Sequence, residues 1–218
     1  MDRRKALKNM GLAMGYTIAT PTVISLLKSC KRESAANWTP RFFSSGEGNV
    51  LTRVVDILLP KTDTPSASEV NVHIFIDRYL DEVTPLEDQG FIRMLMGKFG
   101  GTALRTSGKE NLEDLDSEDI EPVLVSALKM PDPKKEEAQK EALGAYMEAM
   151  AKGETAELAE EVANANFAAT LRGFAIWAYK NTEYVGEEVL PYASVPGEYI
   201  ACADVNELTG GKVWSPQL

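Results

Sequence analysis

The run from Thr155 to Asn181 is the longest helical pattern in the chain, and between Phe167 and Tyr179 it is apolar on nearly every side: Phe167, Ala168, Ala169, Leu171, Phe174, Ala175, Ile176, Trp177 and Ala178. A surface helix needs one apolar stripe, whereas a helix apolar all round has to be central, with other helices on several of its faces. No clean period-2 run and no internal repeat occurs elsewhere in the sequence to supply a sheet or a solenoid. The chain therefore has to fold as helices around this one.

Shorter helical patterns supply the covering. Leu51, Val54, Val55 and Leu58 recur at helical spacing after a Ser44-Ser45-Gly46 start, and Pro60 stops them. Asn71 is the expected N-cap of a second helix, whose Val72, Phe75, Ile76, Tyr79, Leu80 and Val83 form one apolar stripe. A third helix is predicted from about Leu86 to Phe99, with Gly100-Gly101 ending it. Ser117-Glu118-Asp119 offers a cap and an acidic first turn to Ile120, Val123, Leu124, Ala127 and Leu128, with Pro122 delaying the start. The Lys- and Glu-laced run from Lys134 to Met150, with pairs such as Glu136 and Lys140, predicts a solvent-facing helix closed by Gly153. Beyond Asn181 the chain is rich in Gly, Pro and aromatics, and an irregular wrap around the bundle is expected.

The ends of the chain differ in charge. Of 23 Lys and Arg and 33 Asp and Glu, the first 29 residues hold five basic residues and one acid, which leaves 18 positive against 32 negative charges. Such an acidic body repels phosphate backbones, so no nucleic-acid partner is expected. The N-terminus resembles a twin-arginine export signal, with Arg3, Arg4, Leu7 and Lys8 in place, followed by an uncharged stretch diluted by Gly11, Gly15, Thr17, Thr20, Pro21 and Ser25. Leu27-Lys28-Ser29-Cys30 resembles a lipobox, which makes Cys30 the candidate lipidation site and a membrane the expected anchor; Lys28 departs from that pattern. An uncleaved transmembrane anchor of the roughly 20 residues a bilayer needs is the other reading of this stretch. Both put the folded domain outside the cytoplasm, on the periplasmic side. The organisation expected is a signal at 1–29, a tether at 30–45 that ends in the anchoring aromatics Trp38, Phe42 and Phe43, and a single all-α helical bundle domain at 46–218 with an irregular C-terminal wrap.

Export of folded cargo suits a protein that takes up a cofactor or a partner before crossing, so a cofactor site is worth seeking. No G-x-G-x-x-G turn is present to approach a dinucleotide pyrophosphate, and no Cys-x-x-Cys-His to attach haem. Two cysteines, Cys30 and Cys202, cannot build a four-thiolate cluster, and a single histidine, His73, beside the apolar stripe of the second helix, reads as a boundary residue. Cys202 reads as a buried structural thiol. Ser126 and Lys129 match S-x-x-K without the partner motifs of an acyl enzyme, and the acidic run Glu113, Asp114, Asp116, Glu118, Asp119 and Glu121 reads as helix-start and surface charge. The expectation is a chain with no cofactor of its own and no catalytic residues.

Three stretches carry a family resemblance. Ile57-Leu-Leu-Pro60-Lys-Thr62-Asp63-Thr64-Pro65-Ser66-Ala67 leads to Val72-His-Ile-Phe-Ile-Asp77; Tyr179-Lys-Asn-Thr-Glu183 is followed by Gly186; and Tyr192 precedes Pro196-Gly197-Glu-Tyr199-Ile-Ala-Cys202. With the twin-arginine-like start, these resemble the small subunit (subunit 3) of the gluconate 2-dehydrogenase family, although Ser66 replaces the glycine of the family's turn and Lys180 and Asn181 depart from its second segment. The resemblance implies an accessory subunit. Its implied partners are a large flavoprotein dehydrogenase subunit of the GMC type, which binds FAD and oxidises a sugar, sugar acid or glycoside, a cytochrome c subunit, and the twin-arginine translocon through which the small subunit carries the large one.

Within this resemblance, Pro60, Thr62, Asp63, Thr64 and Pro65 form the turn motif. Asp63 and Thr64 are expected to bond backbone amides there while Pro65 fixes φ; contact of the loop with the large subunit is the other reading. Tyr192, Pro196, Tyr199 and Trp214 are the candidate partner interface, because Tyr and Trp are favoured anchors in such patches. A free-standing extracytoplasmic lipoprotein with a glycan- or protein-binding role is the alternative, and a hydrolase using the acidic run is a third.

Overall fold

The structure, a computed structural model, describes residues 38–129, 132–192 and 202–215. Their α-helices are α1 (Ser45–Leu58), α2 (Val72–Glu82), α3 (Leu86–Ser107), α4 (Ser117–Leu128), α5 (Pro133–Ala151), α6 (Glu160–Lys180) and α7 (Val205–Thr209). A 3-10 turn at Leu112–Asp114 and a π-helical turn at Val185–Val189 complete the set, and no strand occurs among the described residues. These residues, Trp38 apart, belong to one compact unit, Thr39–Leu218, which begins ahead of residue 46 because Phe42 and Phe43 are buried in the core.

The central helix is the expected one. α6 touches α1, α2, α3, α4, α5 and the π-turn, and Phe167 from its first half meets Phe99 of α3 with ring centroids 4.7 Å apart. Leu51, Val54 and Val55 of α1, Ile76 and Leu80 of α2, Leu95 and Met96 of α3, and Ile120 and Leu124 of α4 fill the space around it. Burying one such side chain is worth about 1.5–3 kcal/mol, so this shared core holds the helices together. Only one side of α6 departs from expectation: Ala169, Thr170, Gly173, Ile176 and Trp177 are exposed.

Several helix ends are set by contacts distant in sequence. α1 starts as predicted, at a capping box in which Ser44 Oγ accepts from the Glu47 amide and Glu47 Oε2 accepts from the Ser44 amide at 2.9 Å. α3 does not end at Gly100-Gly101 but runs on to Ser107, where Gly108 terminates it at φ 73°. Gly100 serves clearance instead: a Cβ there would lie 2.9 Å from Leu112 Cδ2, and a Cβ at Gly46 would lie 2.8 Å from Leu112 Cβ, so the two glycines let the 3-10 turn seat between α1 and α3. Asn49 of α1 fastens that turn through its side-chain amide to the Leu112 and Leu115 carbonyls, at 2.9 and 2.8 Å.

α4 is capped by Asp116, one residue before the expected Ser117, and Pro122 lies inside it on the exposed side without delaying its start. α6 begins at Glu160 rather than Thr155, since the preceding residues stay non-helical and bury Leu158. Asn71 stands at the N-cap of α2 as expected, yet in the left-handed region at φ 62° and with no side-chain capping bond. α5 buries no residue and pairs Glu136 with Lys140 at 2.6 Å, as its sequence predicts.

Candidate docking surface

The buried face of α2 is not quite the stripe read from its apolar residues. Phe75 and Val83 are 42% and 60% exposed, while His73 and Asp77 are buried. Asp77 accounts for the rotation: its carboxylate accepts the backbone amides of Arg41 at 2.7 Å and of Phe42 and Phe43 at 3.1 Å. The Arg93 guanidinium lies 3.9 Å over the Phe42 ring and donates to the Phe42 carbonyl. His73 is therefore a core residue rather than a boundary one, and burial pushes its pKa down against the opposing charges of Asp56 and Asp77.

The turn between α1 and α2 is built by residues around the motif more than by the motif's own acid. Asp56 accepts the Ser68 amide at 2.8 Å and its hydroxyl at 2.6 Å, and Glu69 accepts the Ser66 amide at 2.9 Å. A bond from Lys61, with the Ser66 amide, holds the Glu69 carboxyl below its usual pKa. The Thr62 amide donates to the Thr64 carbonyl at 2.9 Å. Asp63, expected to bond an amide here, is exposed and has no hydrogen-bond partner among the described residues. Thr64 and Pro65 are engaged from elsewhere: the Tyr179 hydroxyl of α6 donates to the Pro65 carbonyl at 2.7 Å and lies 3.1 Å from Thr64 Oγ1. Ser66 takes the family's glycine position without strain, since Asn71 is the residue that carries a positive φ in this turn.

The exposed side of α6 meets α2 in a cluster of rings. Phe75 lies 5.2 Å and Tyr79 5.4 Å from Trp177, and Tyr79 is 5.6 Å from Phe174. Tyr79, Thr170, Gly173, Phe174 and Trp177 line a cleft of about 320 Å³ between them. Trp177 and Ile176 are each 44% exposed. The sequence placed all these residues on helices but assigned the apolar ones to the interior. Their unusual number per turn was the available signal that one face is left uncovered among the described residues.

The remaining candidates fall into place more simply. Asp116 and Asp119 of the acidic run cap α4 reciprocally, and Lys109 bonds both carboxylates, which raises its own pKa, Asp119 contributing most. Among the described residues no group of three or more His, Cys, Asp or Glu side chains is placed to hold a metal ion, and no helix is long and apolar enough to cross a membrane. Tyr192 and Trp214 are 54% and 46% exposed. The tail returns to the π-turn there, with the Ser215 amide on the Pro191 carbonyl at 2.9 Å and Lys212 Nζ on the Val189 carbonyl at 2.9 Å. Cys202 is an exposed free thiol, not a buried one, because the turn ahead of α7 has no core layer over it. Arg3, Arg4, Leu7, Lys8, Cys30, Pro196 and Tyr199 lie outside the described residues.

Residues 45–197 match the family described as Gluconate 2-dehydrogenase subunit 3. The chain belongs to that family. The matched span opens at the first residue of α1 and takes in the turn, Tyr179 and the whole aromatic cleft, with α7 and Trp214 beyond its end. Neither a curated protein nor a solved structure matches the chain.

Proposed function

We propose that this subunit 3 chain is the non-catalytic small subunit of a flavin-dependent dehydrogenase, which it escorts through the twin-arginine route, stabilises and docks. Membership of a family of dehydrogenase subunits carries this reading. It is supported by the absence from the sequence of a dinucleotide-binding glycine turn and a haem-attachment motif. On this reading FAD belongs to the large subunit, of the GMC type, which oxidises a sugar, sugar acid or glycoside and passes electrons to a cytochrome c subunit. Arg3 and Arg4 address both proteins to the translocon, and lipidated Cys30 holds the assembly at the periplasmic side of a membrane. The exposed Tyr192 and Trp214 give the tail rings with which to touch the large subunit.

The test is fractionation of cells producing the Arg3→Lys/Arg4→Lys double variant. Lysine keeps the charge and loses the planar, multi-donor guanidinium that a receptor can distinguish. Both this chain and the flavoprotein are expected to stay in the cytoplasm, with sugar-dependent dye reduction lost from the extracytoplasmic fraction. Full activity outside the cytoplasm overturns the escort role.

A further inference from the structure

A glycine inside a helix destabilises it relative to alanine, so an exposed one invites a reason. Gly173 sits near the end of α6, its side open, and beyond its chain neighbours and its own helix backbone no described atom lies within 4 Å of the place a Cβ would take. Nothing among the described residues needs that clearance. The glycine lines the cleft of Tyr79, Phe174 and Trp177, next to the half-exposed Phe75 and Ile176. A contiguous exposed aromatic patch of this kind is how a protein surface shows an interaction site.

The surroundings narrow the occupant. Thr170 and Tyr79 bring the only side-chain hydroxyls to the cleft lining, too few polar groups to orient a free sugar. Lys180 lies on the same face of α6 as Gly173 and Trp177 and has no ion-pair partner among the described residues, in a chain of formal net charge −10. A second copy would bring the same net negative charge to the contact, which opposes self-association. A different protein with acidic residues around an apolar projection meets Lys180 instead.

The geometry points to the α2–α6 cleft as the socket for an apolar side chain of the catalytic dehydrogenase subunit, with acidic residues of that subunit against Lys180. This rests on the small-subunit reading above. It puts the main anchor on the helical body, inside the family-matched span, with the tail as an outlying contact.

Gly173→Leu tests it, because the added side chain has open space in this chain but fills the socket. Gly97→Leu is the matched control: an exposed glycine within α3, likewise with nothing inside 4 Å. The full chain, wild type and both variants, is titrated with the purified flavoprotein that co-purifies with the tagged wild type, by calorimetry or sedimentation. Circular dichroism melts verify the fold of each variant. Gly173→Leu is expected to weaken binding at least tenfold and Gly97→Leu less than twofold; Lys180→Glu is expected to weaken it and flatten its salt dependence. Wild-type affinity in Gly173→Leu overturns the socket and leaves the subunit reading standing. Loss of self-association in Gly173→Leu with flavoprotein binding intact makes the cleft a contact between copies and also overturns it. If no flavoprotein co-purifies with the tagged wild type, both readings are overturned before any titration.

Discussion

Tyr179 donates its hydroxyl hydrogen to the Pro65 carbonyl across 2.7 Å, joining the central helix to a turn 114 residues earlier in the chain. Both residues belong to stretches that carry the family resemblance, and this bond brings those stretches together in space. Tyr179→Phe keeps the ring and removes the donor, leaving a half-buried carbonyl without this partner. A loss of about 1 kcal/mol in unfolding free energy is expected from urea titration, with the helical content unchanged.

Asp77→Ala should be far more damaging. The carboxylate is fully buried and serves the amides of Arg41, Phe42 and Phe43, so its removal orphans three donors at the core edge. A loss of about 3 kcal/mol or more is expected, because each unsatisfied buried donor costs on the order of 1 kcal/mol or above. Limited proteolysis gives an independent reading: cleavage near residues 39–44 should appear in the variant well before the wild type is cut. Equal resistance in the two would show that the clamp is dispensable.

His73 makes stability depend on pH. Desolvation lowers its folded pKa below the usual 6.5, so between the two values the unfolded chain binds a proton that the folded chain does not. Stability is therefore fully present above about 6.5 and falls as pH drops toward the folded value. His73→Gln, which does not titrate, should show a smaller loss of melting temperature between pH 7.5 and 5.5 than the wild type. Parallel curves would assign the slope to other groups.

Cys30→Ala tests the proposed lipid anchor. Acyl chains contribute about 0.8 kcal/mol of membrane affinity per buried methylene, so their loss should move the chain from the membrane pellet to the soluble extracytoplasmic fraction. Unchanged sedimentation would mean that an uncleaved signal or a membrane-bound partner does the anchoring.

Local chemistry made most of the helices legible. Ser44 and Glu47 mark the start of α1, and the apolar residues at α6 identify the centre of the bundle, because caps and periodicity act within a few residues. What was hidden depended on distant partners. Gly100 looks like a stop until Leu112 is seen against it, and α2 appears to face the core with Phe75 until Asp77 is found clasping the segment 41–43. The aromatic cleft was invisible for a third reason. Apolar residues left exposed at a cleft carry the same pattern as residues that serve the core, and a sequence does not say which of them stay uncovered.

The Asp77 clasp has a mechanical consequence. Any tension applied to the backbone at Arg41 to Phe43 meets this clasp first. There it loads three bonds converging on a single carboxylate, so the pull is shared among them and passed to α2 and the core behind it. The front end of the unit is thus fastened to the core instead of being left to fray.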